Sequence, residues 1–279
     1  MTIDEDAALE ELVSKGVRIP PQPKVLLDLQ DALRDDDYDS RSLAKIISRD
    51  PGIVAMLFKA SRSPVFARGK TLDSIEKILM TIGVKQTCNL VQAMALSTSM
   101  AGGDKKKLEM FWARSQDIAQ LAALVARDRV SVCNVFPDQA YMAGIFHECG
   151  VPVLMQRFPN YAEKLDLSTA CCWPDLFAED ERLGVDHCAV GYLVARHWKL
   201  PEFVCAAVRY HSELPTDESG TSRALVTLLQ LAIHFYHRLA RVDDPLWQKM
   251  GDQVMTEVGI PTDDEDDFFE RIADQFVGG

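Results

Sequence analysis

Proline and helix-capping side chains stand at the head of one apolar, helix-periodic segment after another, and this punctuation restricts the chain to a helical fold. Pro20, Pro21 and Pro23 lead into residues 25–33, and Ser40 is placed to cap a segment carrying Leu43, Ile46 and Ile47. Asp50-Pro51 starts another helix, because an aspartate cap followed by proline at the first position wastes no backbone donor. Its apolar face is Val54, Leu57 and Phe58. A loop with Ser63-Pro64 and Gly69 precedes Ile75, Ile78 and Leu79; Gly83 then interrupts, and residues 88–96 resume the helical pattern. Gly102-Gly103-Asp104 and Lys105-Lys106-Lys107 read as a linker. Beyond it a long helix is expected over 108–129, one opened by Pro137-Asp138 to about Cys149, one capped by Asp186 over 187–199, one from Pro201 to about His211, and one over 223–241. No segment alternates apolar and polar residues as a strand would, so the expected class is all-α, a multi-helix bundle.

Composition supports a well-filled core: of 279 residues, 47% are hydrophobic and 26% charged. No apolar run approaches the roughly 18 residues that cross a bilayer, and the acidic stretch 1–11 has neither the basic start nor the apolar core of a secretory signal. A cytoplasmic location with no membrane partner is the expectation. Seven cysteines, including the adjacent Cys171 and Cys172, suit buried thiols in a reducing compartment. The net charge of −12 is concentrated at one end, since residues 213–279 hold 5 basic and 14 acidic side chains. The run Asp263, Asp264, Glu265, Asp266 and Asp267 repels phosphate backbones and reads as the acidic first turn of a helix carrying Phe268, Phe269, Ile272 and Phe276. Nucleic acid is therefore disfavoured as a partner; Lys59, Arg62, Arg68 and Lys70 gather around one loop, as solvated charges do.

Three histidines fall on apolar helix faces, where an imidazole must be hydrogen-bonded, liganded or costly. Ala140, Ala143, Gly144 and His147 form a line of small residues that admits a close neighbour and ends in an imidazole. His187, Val190, Gly191, Val194 and Trp198 form a second line, and Val204, Ala207, Val208 and His211 a third. By contrast His234 and His237 share a face with Thr227, Gln230, Arg238 and Arg241, which reads as a wet surface. Three inward imidazoles and the carboxylate of Glu148 would suit zinc, iron or manganese, and such an ion can activate water.

The order and spacing of short motifs over about residues 16–212 resemble the HDOD family, the HD-related output domains of bacterial signalling proteins, a branch of the HD phosphohydrolase superfamily. The motifs are Ile19-Pro20-Pro21-Gln22-Pro23, Ser42 to Pro51, Ser61-Arg62-Ser63-Pro64, Ser74-Ile75 with Thr81-Ile82-Gly83, and Phe111-Trp112. Further along come Ala143-Gly144-Ile145-Phe146-His147-Glu148-Cys149-Gly150, Gly184-Val185-Asp186-His187, Trp198-Lys199-Leu200-Pro201 and Arg209-Tyr210-His211. The resemblance implies an HDOD-like domain over 14–212, with an N-terminal helical part at 14–100 and an HD-like bundle at 108–212. A C-terminal extension follows at 213–279, of which 223–241 completes the bundle.

Departures from the superfamily pattern carry the functional expectation. Catalytic members place a metal-binding histidine near Trp112, a His-Asp doublet and a distant aspartate; here Arg114 takes the first position, the doublet is His147-Glu148, Val151 replaces a frequent lysine, and Ile233 stands near the last ligand. A guanidinium offers only donors, and isoleucine offers nothing. The expected function is a non-catalytic, regulatory signal-transduction module. It would act through contacts with separate signalling proteins, without cofactor or metal, as a stand-alone adaptor, with a small nucleotide left open as a further partner. That vestigial pocket is lined by Arg114, His147, Glu148, His187 and His211, with Arg114 and Glu148 expected to pair where the ion would sit. The alternative is a metal-dependent phosphohydrolase of a nucleotide or cyclic dinucleotide, with His147, Glu148, His187 and His211 as ligands.

Overall fold

The computed structural model describes residue 14 and residues 16–34, 38–67, 72–99, 105–165, 175–214 and 221–278. All regular structure among them is helical. The first half contributes α1 (Lys24–Ala32), α2 (Ser40–Ile47), α3 (Pro51–Ser61), α4 (Ile75–Ile82) and α5 (Val84–Ser99). Local chemistry sets their ends. The α2 cap is Asp39 and not Ser40: its Oδ1 accepts from Ser42 N–H at 2.6 Å, and Ser40 is the first helical residue. Asp50 Oδ1 accepts from Gly52 and Ile53 N–H at 2.9 and 3.1 Å with Pro51 at the first position, as the Asp-Pro pair requires. Gly83 separates α4 from α5 at φ 107°, a conformation that a side chain resists.

The second half is organised on α6 (Lys105–Cys133), a helix of 29 residues. Around it come α7 (Pro137–Phe146), α8 (Gly150–Arg157), α9 (Tyr161–Lys164), α10 (Leu176–Leu183), α11 (His187–His197), α12 (Glu202–Tyr210), α13 (Thr221–Ala240), α14 (Trp247–Val258), a 3-10 turn (Thr262–Asp264) and α15 (Glu265–Val277). Lys105 to Lys107 belong to the first turns of α6, and Lys107 Nζ reaches Glu163 at 2.7 Å, so these lysines are helical rather than linking. Gly102 to Asp104 lie outside the described residues, as do Cys171, Cys172, Arg68, Gly69 and Lys70.

α7 is the hub. It packs on α6, on α5 of the first half, and on α12 and α13. The stripe of small residues permits this approach: a Cβ on Gly144 would lie 2.5 Å from Ala119 Cα on α6. A single apolar core therefore runs from Val17 and Leu26 through Leu90, Ile118 and Phe146 to Val208, Phe268 and Ile272. Each large aliphatic group buried in it is worth about 1.5 to 3 kcal/mol. The proline lead-in joins the same core, because Trp198 is fully buried and its Nε1 donates to Pro20 O at 2.9 Å, while Gln22 Nε2 donates to Trp198 O at 3.3 Å. The cysteines Cys88, Cys133, Cys149, Cys188 and Cys205 are buried thiols. Among the described residues no helix is long and apolar enough to cross a membrane.

The face of His234 and His237 is not wet. Both are buried, at 8% and 4% exposure, because α14 and α15 return over α13. His234 Nδ1 lies 3.0 Å from Asp244 Oδ2, His234 Nε2 lies 3.1 Å from Glu265 Oε1, and the Trp247 ring stacks on its imidazole at 3.9 Å. His237 Nδ1 lies 3.0 Å from the same Asp244 oxygen. Although burial pushes the Asp244 carboxyl up, hydrogen bonds from His234, His237 and the Trp247 N–H hold it well below the usual range. The acidic run supplies Glu265 and Asp266 to Arg238, and begins a helix that buries Phe268 and Ile272.

Candidate functional site

The residues singled out in sequence converge on one buried polar cluster inside the second half. Arg114 projects from α6; His147 and Glu148 occupy the turn between α7 and α8; His187 opens α11; His211 closes α12. The helix expected to run to Cys149 stops at Phe146, and α8 begins afresh at Gly150. This break turns two consecutive side chains, His147 and Glu148, into the interior together, both at 1% exposure or less. The turn is clamped by contact: a Cβ on Gly150 would fall 2.0 Å from His187 O and 2.8 Å from Gly191 N, so only glycine lets α8 meet α11.

Arg114 Nη2 donates to Glu148 Oε2 in an ion pair whose members are 6% and 1% exposed. Burial pushes the Glu148 carboxyl up, but Arg114 and the three surrounding histidines outweigh it and hold the group below the ordinary glutamate range. Glu148 Oε1 meets no hydrogen-bond partner among the described residues. His147 Nδ1 lies 2.7 Å from Gly144 O, and since a carbonyl only accepts, that nitrogen carries the proton. Burial lowers the His147 pKa to about 3, with His211 and Arg114 acting in the same direction against Glu148, so the ring is neutral.

Three residues that sequence reasoning did not place complete the cluster. Glu179 on α10 is fully buried; its Oε2 accepts from His187 N–H at 2.9 Å and lies 2.6 Å from His187 Nδ1, and its Oε1 accepts from the Tyr161 hydroxyl. His211 Nδ1 donates to Val208 O at 3.0 Å. With both Nδ1 atoms committed, His187 Nε2 and His211 Nε2 face each other at 3.2 Å. Cys188 Sγ lies 3.7 Å from His187 Nε2 and 3.9 Å from His211 Nε2. Burial pushes the Cys188 thiol up, yet the two imidazoles prevail and bring it to about 6; its thiolate in turn raises both histidines against the burial that would lower them. Glu179 lies on a helix whose start signal, the Asp175 cap on the Phe177 and Ala178 N–H groups, went unread in the sequence, and Cys188 differs from the other cysteines only in following a histidine.

An all-α bundle with this buried histidine cluster in the turns between its helices defines an HD-like domain. The HDOD domain family matches residues 19–214, and the chain belongs to that family of signalling-associated proteins. An HDOD domain protein of unknown function from Geobacter sulfurreducens superposes with a TM-score of 0.70 at 22% identity, over 98% of this chain and 96% of that one. A Shewanella amazonensis SB2B protein, provisionally described as a metal-dependent phosphohydrolase, superposes with a TM-score of 0.70 at 18% identity, over 98% of this chain and 97% of its own. At these identities the likeness is one of fold. An uncharacterized protein of Treponema pallidum (strain Nichols) is 24% identical over 201 residues, 71% of this chain but only 38% of that longer protein.

Proposed function

We propose that the protein is a non-catalytic regulatory module of a bacterial signalling system, acting through contacts with partner proteins. The observation that carries this reading is the Arg114–Glu148 pair. A hydrolytic ion at the His147-Glu148 doublet needs the carboxylate as ligand and an open cavity for water. Here a protein cation holds one oxygen of that carboxylate, and a guanidinium cannot coordinate a metal while its charge repels one. His147 and Glu148 therefore do not fit a hydrolytic metal, and without it nothing beside them lowers the pKa of an attacking water. The first half, packed through α5 onto α7, supplies helices on which partner-binding surfaces can be carried.

The test is turnover. Purified full-length protein supplied with manganese or iron is assayed on cyclic dinucleotides, nucleotides and a chromogenic phosphodiester beside His147→Ala. Equal rates in both proteins are expected; hydrolysis by the wild type above the variant would overturn the reading and restore the phosphohydrolase.

A further inference from the structure

Beside the Arg114–Glu148 pair, His187 and His211 of the same pocket meet a cysteine that the regulatory reading does not use. Among the described residues, His187, Cys188 and His211 form the one group of histidine, cysteine or carboxylate ligand atoms all within 4.8 Å of one another, and all three residues are buried. Glu179 and the Val208 carbonyl hold the protons of both Nδ1 atoms, so the two Nε2 atoms turn to each other at 3.2 Å. Two lone pairs at that separation repel unless a cation, a proton or a metal ion, lies between them.

The geometry points to a metal. A tetrahedron with zinc–nitrogen bonds of about 2.05 Å and a zinc–sulfur bond of about 2.3 Å has N···N edges of roughly 3.3 Å and N···S edges of roughly 3.6 Å. The observed edges are 3.2 Å between the nitrogens, and 3.7 and 3.9 Å from them to Cys188 Sγ. All three agree within a few tenths of an ångström. The surroundings are those of a metal-bound histidine, since a carboxylate behind the ligating imidazole fixes its tautomer and raises its basicity. Glu179 does this for His187 while being held itself by the Tyr161 hydroxyl.

We propose that His187 Nε2, Cys188 Sγ and His211 Nε2 bind one zinc ion, tying the start of α11 to the end of α12. The thiolate selects a thiophilic cation over magnesium or calcium. Binding displaces the proton shared by the imidazoles and any proton still on the Cys188 sulfur, so the step is balanced by proton release to solvent. Glu148 and Arg114 are not ligands. The site goes beyond the regulatory reading and is independent of it, because metal content and hydrolysis are read by separate measurements.

The experiment uses the full chain. Protein produced in zinc-supplied medium is expected to carry one zinc per chain by elemental mass spectrometry. Protein produced with cobalt in place of zinc is expected to show thiolate-to-cobalt charge transfer in the near ultraviolet and the visible bands of tetrahedral cobalt. Cys188→Ser removes the charge-transfer band, whereas Cys133→Ser, at the end of α6, keeps it. Wild type free of metal from both media, or a Cys188→Ser variant with the band intact, overturns the proposal. Should Cys188→Ser not fold, X-ray absorption at the zinc edge of wild type decides: one sulfur with nitrogen ligands supports the site, and a shell of oxygen and nitrogen alone refutes it.

Discussion

Replacing Arg114 by methionine keeps an apolar stem on α6 and removes only the charge. Glu148 is then a carboxylate at 1% exposure with its guanidinium gone. Breaking a buried pair from one side costs about 3 to 5 kcal/mol, against about 0 to 1 for an exposed one, and the burial of both partners places this pair in the first class. Arg114→Met is therefore expected to lower the unfolding free energy by that amount at neutral pH, read as a lower urea midpoint by helical circular dichroism with an unchanged slope. The double variant Arg114→Met/Glu148→Leu, which strands no charge, should be more stable than Arg114→Met alone. The pH dependence has a definite sign. In wild type the Glu148 pKa is depressed, so its contribution persists above the ordinary glutamate range and is lost only as pH falls below it. Without Arg114 the uncompensated effect of burial raises that pKa, Glu148 takes up a proton on mild acidification, and the gap between variant and wild type narrows from about pH 7 to about pH 5. Single variants that each cost less than about 1 kcal/mol and add in the double would refute the reasoning.

Gly150→Ala should be among the most damaging single substitutions, because the new methyl group meets the His187 carbonyl and the Gly191 nitrogen, both backbone. A loss of more than about 3 kcal/mol, or no soluble protein, is expected, and near-neutral melting would contradict the α8–α11 contact. Asp244→Asn should cost about 1 to 3 kcal/mol by weakening the bonds to His234 and His237, and should speed proteolysis within residues 244–278. Since the Asp244 pKa is depressed, the wild-type advantage holds above about pH 4 and fades as pH falls towards the folded value; an advantage that grows on acidification would count against the ion pair.

Much of the fold was legible in the sequence because capping is local chemistry. Asp50-Pro51, Asp186 and Gly83 act at the residues where the sequence places them, and Asp186 Oδ1 accepts from Ala189 N–H at 2.7 Å as an N-cap should. The helices that escaped are α8, α9, α10 and α14, and Gly150 and Pro152 disguise the first of them. Arg114 and Glu148 could be paired in advance because each departs from a shared pattern at matched positions. His234 and His237 were misjudged for a different reason: periodicity along one helix reveals its faces, and nothing in α13 records that Asp244, Trp247 and Glu265 return to cover one of them. Cys188 and Glu179 escaped because their importance lies in distances between helices.

The tie between Trp198 and the proline lead-in has a consequence for how the molecule is made. Pro20 O waits for a donor 178 residues away, and Gln22 for an acceptor 176 residues away. A chain leaves the ribosome amino end first at about 5 to 20 residues per second, so this segment is exposed for roughly ten to forty seconds before its seat exists. Helices α1 to α5 can coil locally in that time. Their final docking is a late, long-range closure, and the interval before it is when the nascent protein is most open to chaperones, to aggregation, or to a partner that reaches the apolar faces of the first half before α7 does.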